Sequence, residues 1–441
     1  MISVCDNNKA GLEINDDALL RDLTKIAEPA ISNISLDDNP NLLIFPPDFN
    51  EYGDKIGKEH IFEIKDNKLY TGNIMGFIGY HDTKIRIHSR FAQPDGKDYF
   101  LHYMLQKVFA VNLFDLKYNA DEESIFDFLI YLFPAFLKRA IKQGVYKEYQ
   151  TRHNNDSNVK GRIEVSRHIR QNIPFAGKIA YSTREYAYDN HVNQLIRHTI
   201  EYIASHIYSG DILQNDESVR DAVSLIKETT PTYNQNDRHR IISQNLRPLS
   251  HPYFSEYRNL QRLCVQILRH DELKYGRNED EIYGILFDGA WLWEEYLNTF
   301  LKDLNFIHPQ NKMNKGGKYM FSPRKVLMQP DFYIESQIVL DAKYKGHEAL
   351  TESNQREDRF QLLAYMYIFD VAKSGLIVPK GIGEENYSKA DLNGKGGNMY
   401  LLGLPVNKPF DSYIGYCNQM AELESNLSNM ILRIMREPIS T

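Results

Sequence analysis

The sequence predicts an α+β multidomain protein: a β-rich N-terminal region to residue 100, a mostly helical region over 101–275, and a C-terminal α/β region over 276–441. Three observations predict it. Short apolar runs separated by Asn, Asp and Gly turns fill the first hundred residues. Apolar residues then recur at helical spacing. Beyond residue 276, helical runs flank a pair of short strands. A chain of 441 residues is long enough for two or three domains with their own cores.

In the first region, strands are expected at 42–45, 61–64, 69–70, 74–80 and 84–88. The last two flank His81-Asp82 and make a hairpin, and K-I-R-I-H alternates apolar and basic as a half-exposed strand does. Helices are expected over 99–110, 124–143, 191–208, 218–228 and 254–268. Residues 159–188, polar and β-prone, are expected to return to the first region as strands, with 151–158 and 234–237 as loops. Asp189 or Asn190 stands where a cap is needed for the helix that follows. The most apolar run, 125–137, carries Asp127 and Pro134 and is too short to span a bilayer, so a buried helix is expected.

The third region carries the chemistry. Residues 285–304 have helical period, with an apolar stripe through Phe287, Ala290, Trp291, Leu297 and Leu301. Glu294 falls on that stripe, whereas Asp288, Glu295 and Lys302 lie on the polar face. A glutamate there needs a cation or a partner, which a rim ion pair and a metal site both supply. Residues 329–346 read as two strands joined at Glu335-Ser336-Gln337, the second almost wholly apolar except for Asp341 and Lys343. Side chains two apart on a strand share a face, so these two point the same way, and Asp331, after Pro330, can lie beside them. Two carboxylates converging at a strand end, with a lysine two residues on, suit Mg²⁺-dependent (or Mn²⁺-dependent) phosphodiester hydrolysis. A salt-bridged edge strand is the plainer reading, but charges flanked by Ile338, Val339, Leu340 and Ala342 are costly without a task. Downstream, R-E-D-R-F-Q-L-L-A-Y-M-Y opens a helix that stacks Gln361 and Tyr365 on one side, as packing or as part of the same site. The glycine-rich segment 380–398 reads as a mobile loop.

Composition narrows the function classes. There is no G-x-x-x-x-G-K-[ST] phosphate loop, so the chain is expected to bind no nucleotide itself; G-x-S-x-G, H-E-x-x-H and the dinucleotide glycine fingerprint are also missing. Cys5, Cys264 and Cys417 lie far apart without metal-ligand spacing, which suggests the reducing cytoplasm and neither a disulfide framework nor a zinc site. His88, His191 and His308 are scattered and read as structural or exposed residues. The net charge of −7 is unusual for a protein that grips duplex DNA unaided, and implies a partner or local basic patches. Two such patches are Arg162, Arg167, His168 and Arg170, and Lys312, Lys315 and Lys318; either is a solvated surface or a DNA contact.

P-D…D-x-K with an upstream helical glutamate and a downstream Q-x-x-x-Y resembles the PD-(D/E)xK nuclease superfamily, in its RecB-like branch. Asp341 stands where many members carry glutamate. The wider chain resembles the McrC family of nuclease subunits, through G-F-I-G-Y-H-D-T-K-I-R-I-H-S-R-F at 76–91, G-R-I-E at 161–164, D-N-H-V-N-Q-L-I at 189–196 and L-F-D-G-A-W-L-W-E-E-Y. Residues 1–70 and those after about 405 carry no resemblance. The resemblance implies a restriction-endonuclease-like C-terminal domain and a DNA endonuclease subunit of a McrBC-like modification-dependent restriction system. It implies an McrB-like AAA+ GTPase as partner, stimulated by this chain, methylated double-stranded DNA as substrate, and no membrane. Asp331, Asp341, the carbonyl of Ala342 and Glu294 would be metal ligands; Lys343 would act on the attacking water; Gln361 and Tyr365 would support the site or touch DNA. An autonomous RecB-like exonuclease and a non-catalytic activator of an AAA+ motor are the alternatives.

Overall fold

The computed structural model describes residues 2–31, 39, 42–46, 60–81, 83–93, 97–109, 122–205, 210–214, 216–275, 282–309, 316–323, 325–345, 356–381, 384–394 and 396–438. The chain packs as two compact units, 1–124 together with 278–441, and 125–277. This is not the three-way division of the sequence: the β-rich N-terminus and the C-terminal region share one unit.

The N-terminal part of the first unit contains β1 (Ile2–Cys5), β2 (Leu12–Glu13), α1 (Asp17–Ala27), β3 (Leu42–Phe45), β4 (Phe62–Lys65), β5 (Lys68–Thr71), β6 (Ile74–Tyr80), β7 (Thr83–His88) and α2 (Tyr99–Phe109). The hairpin expected at His81 is β6–β7, and β7 buries Thr83, Ile85 and Ile87 while Lys84, Arg86 and His88 stay half-exposed. One core gathers Leu23, Ile26, Ile44, Phe62, Leu69, Ile78 and Leu286. The expected helix end at residue 110 lies outside the described residues.

Asp98 caps the start of α2, accepting from the Leu101 N–H at 3.1 Å and from the Ser89 N–H at 2.6 Å. Burial outweighs those bonds and pushes its carboxyl up to about 6. The folded state therefore holds this proton more tightly than the unfolded chain does. The associated stability is fully present below about pH 4 and is lost as pH rises through about 6, an effect of roughly 3 kcal/mol. In urea denaturation, Asp98→Asn should remove that slope, so the wild-type minus variant difference should move by about this amount between pH 4 and 6.5. A difference that stays flat would place the Asp98 carboxyl at its ordinary value.

The second unit comprises α3 (Glu122–Lys142), β8 (Glu148–Asp156), β9 (Arg162–Ile163), α4 (Val165–Gln171), β10 (Ile179–Ala187), α5 (His191–Ser205), α6 (Glu217–Thr229), α7 (Arg238–Gln244) and α8 (Ser255–Tyr275). Residues 151–156, expected in a loop, are strand: β8 pairs with β10 over nine residues from Glu148↔Ala187 to Asp156↔Ile179. The β-prone segment does not return to the first region but closes its own sheet, in the order β8-β10-β9. Polar composition hid β8, because most of its side chains on both faces remain at least half-exposed and no apolar alternation marks it. Gln235–Asp237 forms a short 3₁₀ turn. Asn190 is the helix cap, accepting from the Val192 and Asn193 N–H groups, while Asp189 accepts from the Thr232 N–H. The expected helix end at residue 208 lies outside the described residues.

The C-terminal part of the first unit contains β11 (Tyr283–Asp288), α9 (Gly289–Leu301), β12 (Lys318–Phe321), β13 (Lys325–Met328), β14 (Phe332–Ile334), β15 (Ile338–Ala342), α10 (Arg356–Phe369), β16 (Lys373–Lys380), β17 (Tyr387–Asp391), β18 (Asn398–Pro405) and α11 (Tyr413–Arg436). The helix expected from 285 starts only at Gly289. Residues 283–288 instead form the strand that joins the N-terminal sheet, in the order β1-β7-β6-β11-β3. A short apolar run such as Ile285-Leu286-Phe287 suits a buried strand as well as a helix. Two glycines decide between them. Gly76 and Gly284 have φ of +133° and +147°, and a Cβ on either would stand 2.1 or 2.2 Å from a carbonyl oxygen of the facing strand. Asp288 then caps α9 through the Ala290 N–H.

The second sheet runs β14-β15-β16-β18-β17, parallel at its centre and antiparallel at both edges. Its edge β17 lies inside the segment expected to be a mobile loop. Helix α10 packs on one face, where Val339, Leu362, Met366, Phe369, Leu376 and Leu401 share a core. Among the described residues no helix is long and apolar enough to cross a membrane, and the three cysteines are unpaired.

Candidate functional site

The two short strands expected around Glu335–Gln337 are β14 and β15, and the turn between them carries Ser336 at φ +57°. Pairing of Phe332 with Leu340 brings the start of β14 beside the end of β15. Asp331 and Asp341 meet there, 7% and 2% exposed. Asp331 accepts the Ala342 N–H at 2.7 Å, so a main-chain donor of β15 aims the carboxylate supplied from beside β14. Val339, Asp341 and Lys343 follow the period of two and face α10.

Lys343 lies just past the end of β15, rather than inside the strand, with its ammonium 2.6 Å from Asp341 Oδ2 and donating to Gln361 Oε1 at 3.2 Å. Gln361 donates in turn to the Tyr365 hydroxyl at 2.9 Å, which donates to the Gln329 carbonyl at 3.2 Å. The i, i+4 pair on α10 therefore spans from Lys343 to the residue before Pro330. Tyr344 points to the opposite side, where its hydroxyl lies 3.1 Å from Ser89 Oγ and Arg90 covers its ring at 4.9 Å.

Electrostatics single this cluster out. Burial, and then the charge of Asp341, raise the Asp331 carboxyl well above the carboxylate range, against the Ala342 N–H, Lys343 and His308. Burial raises Asp341 too, opposed by the Lys343 ammonium and a hydrogen bond to Asp331. For Lys343, burial alone would lower the pKa, but Asp341, Asp331 and Asp358 outweigh it and hold the ammonium charged. Buried carboxylates displaced by burial and by specific charged neighbours are a feature of functional sites more than of cores.

Glu294 is only partly buried. The buried face of α9 runs through Leu292, Trp293, Tyr296, Leu297 and Leu301, so Phe287 belongs to β11, and Ala290 and Trp291 lie at the rim. Glu294 nevertheless feels the group: burial, then Asp331, Asp288, Asp341 and Glu295, raise its carboxyl well above the ordinary value.

Two residues given no role in the site by the sequence also stand here. Asp358, three before Gln361, is buried and pairs with Lys345 at 2.8 Å. His308, read as structural or exposed, stacks on Phe332 with its Nδ1 2.6 Å from the Asp331 carbonyl. The i−3 spacing from Gln361 could have flagged Asp358; nothing local flags His308.

The basic patches fare differently. Arg167 is engaged internally, donating to the Asn154 and Tyr181 carbonyls and pairing with Glu164, and His168 bonds Asn172. Lys318 packs its ammonium over the Phe369 ring, and Lys312 and Lys315 lie outside the described residues.

No three His, Cys, Asp or Glu side chains among the described residues are gathered as a ready metal cage. The set fits a small hard cation all the same. Mg²⁺ is commonly held by one or two carboxylates and keeps several of its waters. Asp331 and Asp341 supply two adjoining carboxylates, raised by burial first and then by neighbouring carboxylates, whose charge a divalent cation would offset.

No curated protein matches the chain. Two solved structures are similar at 15% identity. One is a chain of the half-complex from the tetradecameric assembly of Thermococcus gammatolerans McrB AAA+ hexamers with bound McrC, at a TM-score of 0.47 over 96% of this chain and 99% of that one. The other is a chain of the Thermococcus gammatolerans McrBC complex, at 0.32 over 68% and 87%. The family described as McrBC 5-methylcytosine restriction system component matches residues 69–379, from β5 through the site to β16. With well over half its length matched, the chain belongs to the McrBC family of 5-methylcytosine restriction system components.

Proposed function

We propose that this chain is the McrC-type nuclease subunit of a McrBC-like modification-dependent restriction system. It is a Mg²⁺-dependent (or Mn²⁺-dependent) endonuclease of the PD-(D/E)xK class that cuts methylated double-stranded DNA, and it works with an McrB-like AAA+ GTPase that it stimulates. The observation that carries this is the buried Asp331–Asp341 pair with Lys343 at 2.6 Å from it. Asp331, Asp341 and the Ala342 carbonyl would hold the ion, with Glu294 joining directly or through water. The bound ion would lower the pKa of a water and offset charge on the phosphate.

The chain's own residues do the rest. Ala342 N–H orients Asp331, and Asp341 and Gln361 hold the Lys343 ammonium where it can position a nucleophilic water or face the phosphate. Tyr365 fixes Gln361. The net charge of −7 suits a subunit whose partner grips the DNA. In the second unit, Ile163, Val165, Ile169, Ile173 and Phe175 are 48–67% exposed, an apolar stretch that suits protein docking.

The test is cleavage of methylated and unmethylated plasmid with Mg²⁺, by the purified chain with and without the AAA+ protein encoded beside it and its nucleotide. Cutting is expected only of methylated DNA, with partner and nucleotide present. Cutting of DNA ends by the chain alone would replace this reading with an autonomous exonuclease. Raised partner NTPase without cutting would leave an activator.

A further inference from the structure

We propose that His308 is the positioning residue that fixes Asp331 for metal binding, by holding the main-chain carbonyl of Asp331 with its Nδ1–H. This rests on the reading of Asp331 and Asp341 as the metal-binding pair. Ile307 and Tyr333 exchange two main-chain hydrogen bonds, at 2.8 and 3.0 Å, which lays His308 alongside the start of β14. Its side chain is 15% exposed, and its ring stacks on Phe332 with centroids 4.8 Å apart. The Nδ1 atom lies 2.6 Å from the Asp331 carbonyl; because a carbonyl only accepts, the proton is on Nδ1. The Nε2 atom faces Glu295 Oε1 at 3.9 Å, one residue along α9 from Glu294.

One imidazole thus lies between α9 and the start of β14, bonded to the latter. Asp331 is held at both ends, its carbonyl by His308 and its carboxylate by the Ala342 N–H. The preceding Pro330 has no N–H to give, so the loop before Asp331 has one fewer main-chain anchor of its own. Without His308 the bonds described for Asp331 would all be at its carboxylate, the end that must meet the ion. Partners of this kind set the orientation of a ligand and with it the affinity for the metal.

The test is Mn²⁺ affinity of the full-length chain, by electron paramagnetic resonance or calorimetry, without DNA or nucleotide. His308→Phe keeps a ring against Phe332 and loses the donor; His308→Asn can give a donor back without the ring. His308→Phe should weaken Mn²⁺ binding about 10- to 100-fold, and His308→Asn should restore most of it. Wild-type affinity in His308→Phe would overturn the proposal, as would an equal loss in both variants, since the ring's shape would then be what matters. Asp341→Ala separates the two levels. Mn²⁺ binding that survives it would sink the metal-site reading itself, whereas loss in Asp341→Ala with none in His308→Phe would sink only the role of His308.

Discussion

Asp341→Ala is expected to abolish DNA cleavage while leaving the protein folded. The Lewis-acid and water-activating contribution of a bound divalent ion is worth several kcal/mol, so losing a central ligand should cost on the order of a thousandfold or more in rate. The stability side has the opposite sign. Asp341 is 2% exposed, and burial raises its carboxyl against the help of Lys343, so the folded chain gains little from keeping it. Lys343 is 23% exposed and can turn to water when its partner is removed. The melting temperature of Asp341→Ala should therefore equal or exceed that of the wild type. Asp331→Ala should differ: it strips the Ala342 N–H of its acceptor, at a cost of about 1–3 kcal/mol. Undiminished cutting by Asp341→Ala would end the nuclease assignment. A sharp fall in its melting temperature would show that the carboxylate serves the fold.

Trp293→Ala should be the most damaging single change to the fold. Trp293 is fully buried, with ring centroids 6.0 Å from Phe100 and 5.6 Å from Tyr296. Its indole N–H donates to the Ile377 carbonyl at 3.3 Å, the same oxygen that accepts the Lys343 N–H at 2.9 Å. One side chain thus joins α2, α9 and the second sheet where the site is built. Truncating a buried tryptophan costs about 3–5 kcal/mol, because a cavity is left where the ring packed. Trp293→Phe should lose less, since a ring survives and Ile377 keeps its bond to Lys343. Urea denaturation of both variants checks the order; a loss below about 1 kcal/mol for alanine would mean that the core closes around the gap.

Much of the site was legible because its residues lie close in sequence. Strand periodicity puts Asp341 and Lys343 on one face, and helix periodicity puts Gln361 and Tyr365 on another, whatever surrounds them. Glu294 was harder. Its apolar stripe presumes a helix from 285, whereas 283–288 is a strand, and the residue lies at the rim of the buried face. His308 was not legible at all. It reaches Asp331 across twenty-three residues, through a two-residue bridge with no periodic signature.

The sequence by itself determined the α+β character, the β6–β7 hairpin, most helix positions and the local geometry of D-x-K, since each is set by neighbours within a few residues. Tertiary structure alone decided the rest. It set β11 between β6 and β3, far away in the chain, because Gly76 and Gly284 let the backbones approach. It gave the polar strands β8 and β10 partners in each other, since main-chain bonds carry no side-chain pattern. It also brought Asp331, Asp341 and Glu294 within reach of each other's charge, where burial rather than composition sets how strongly they interact.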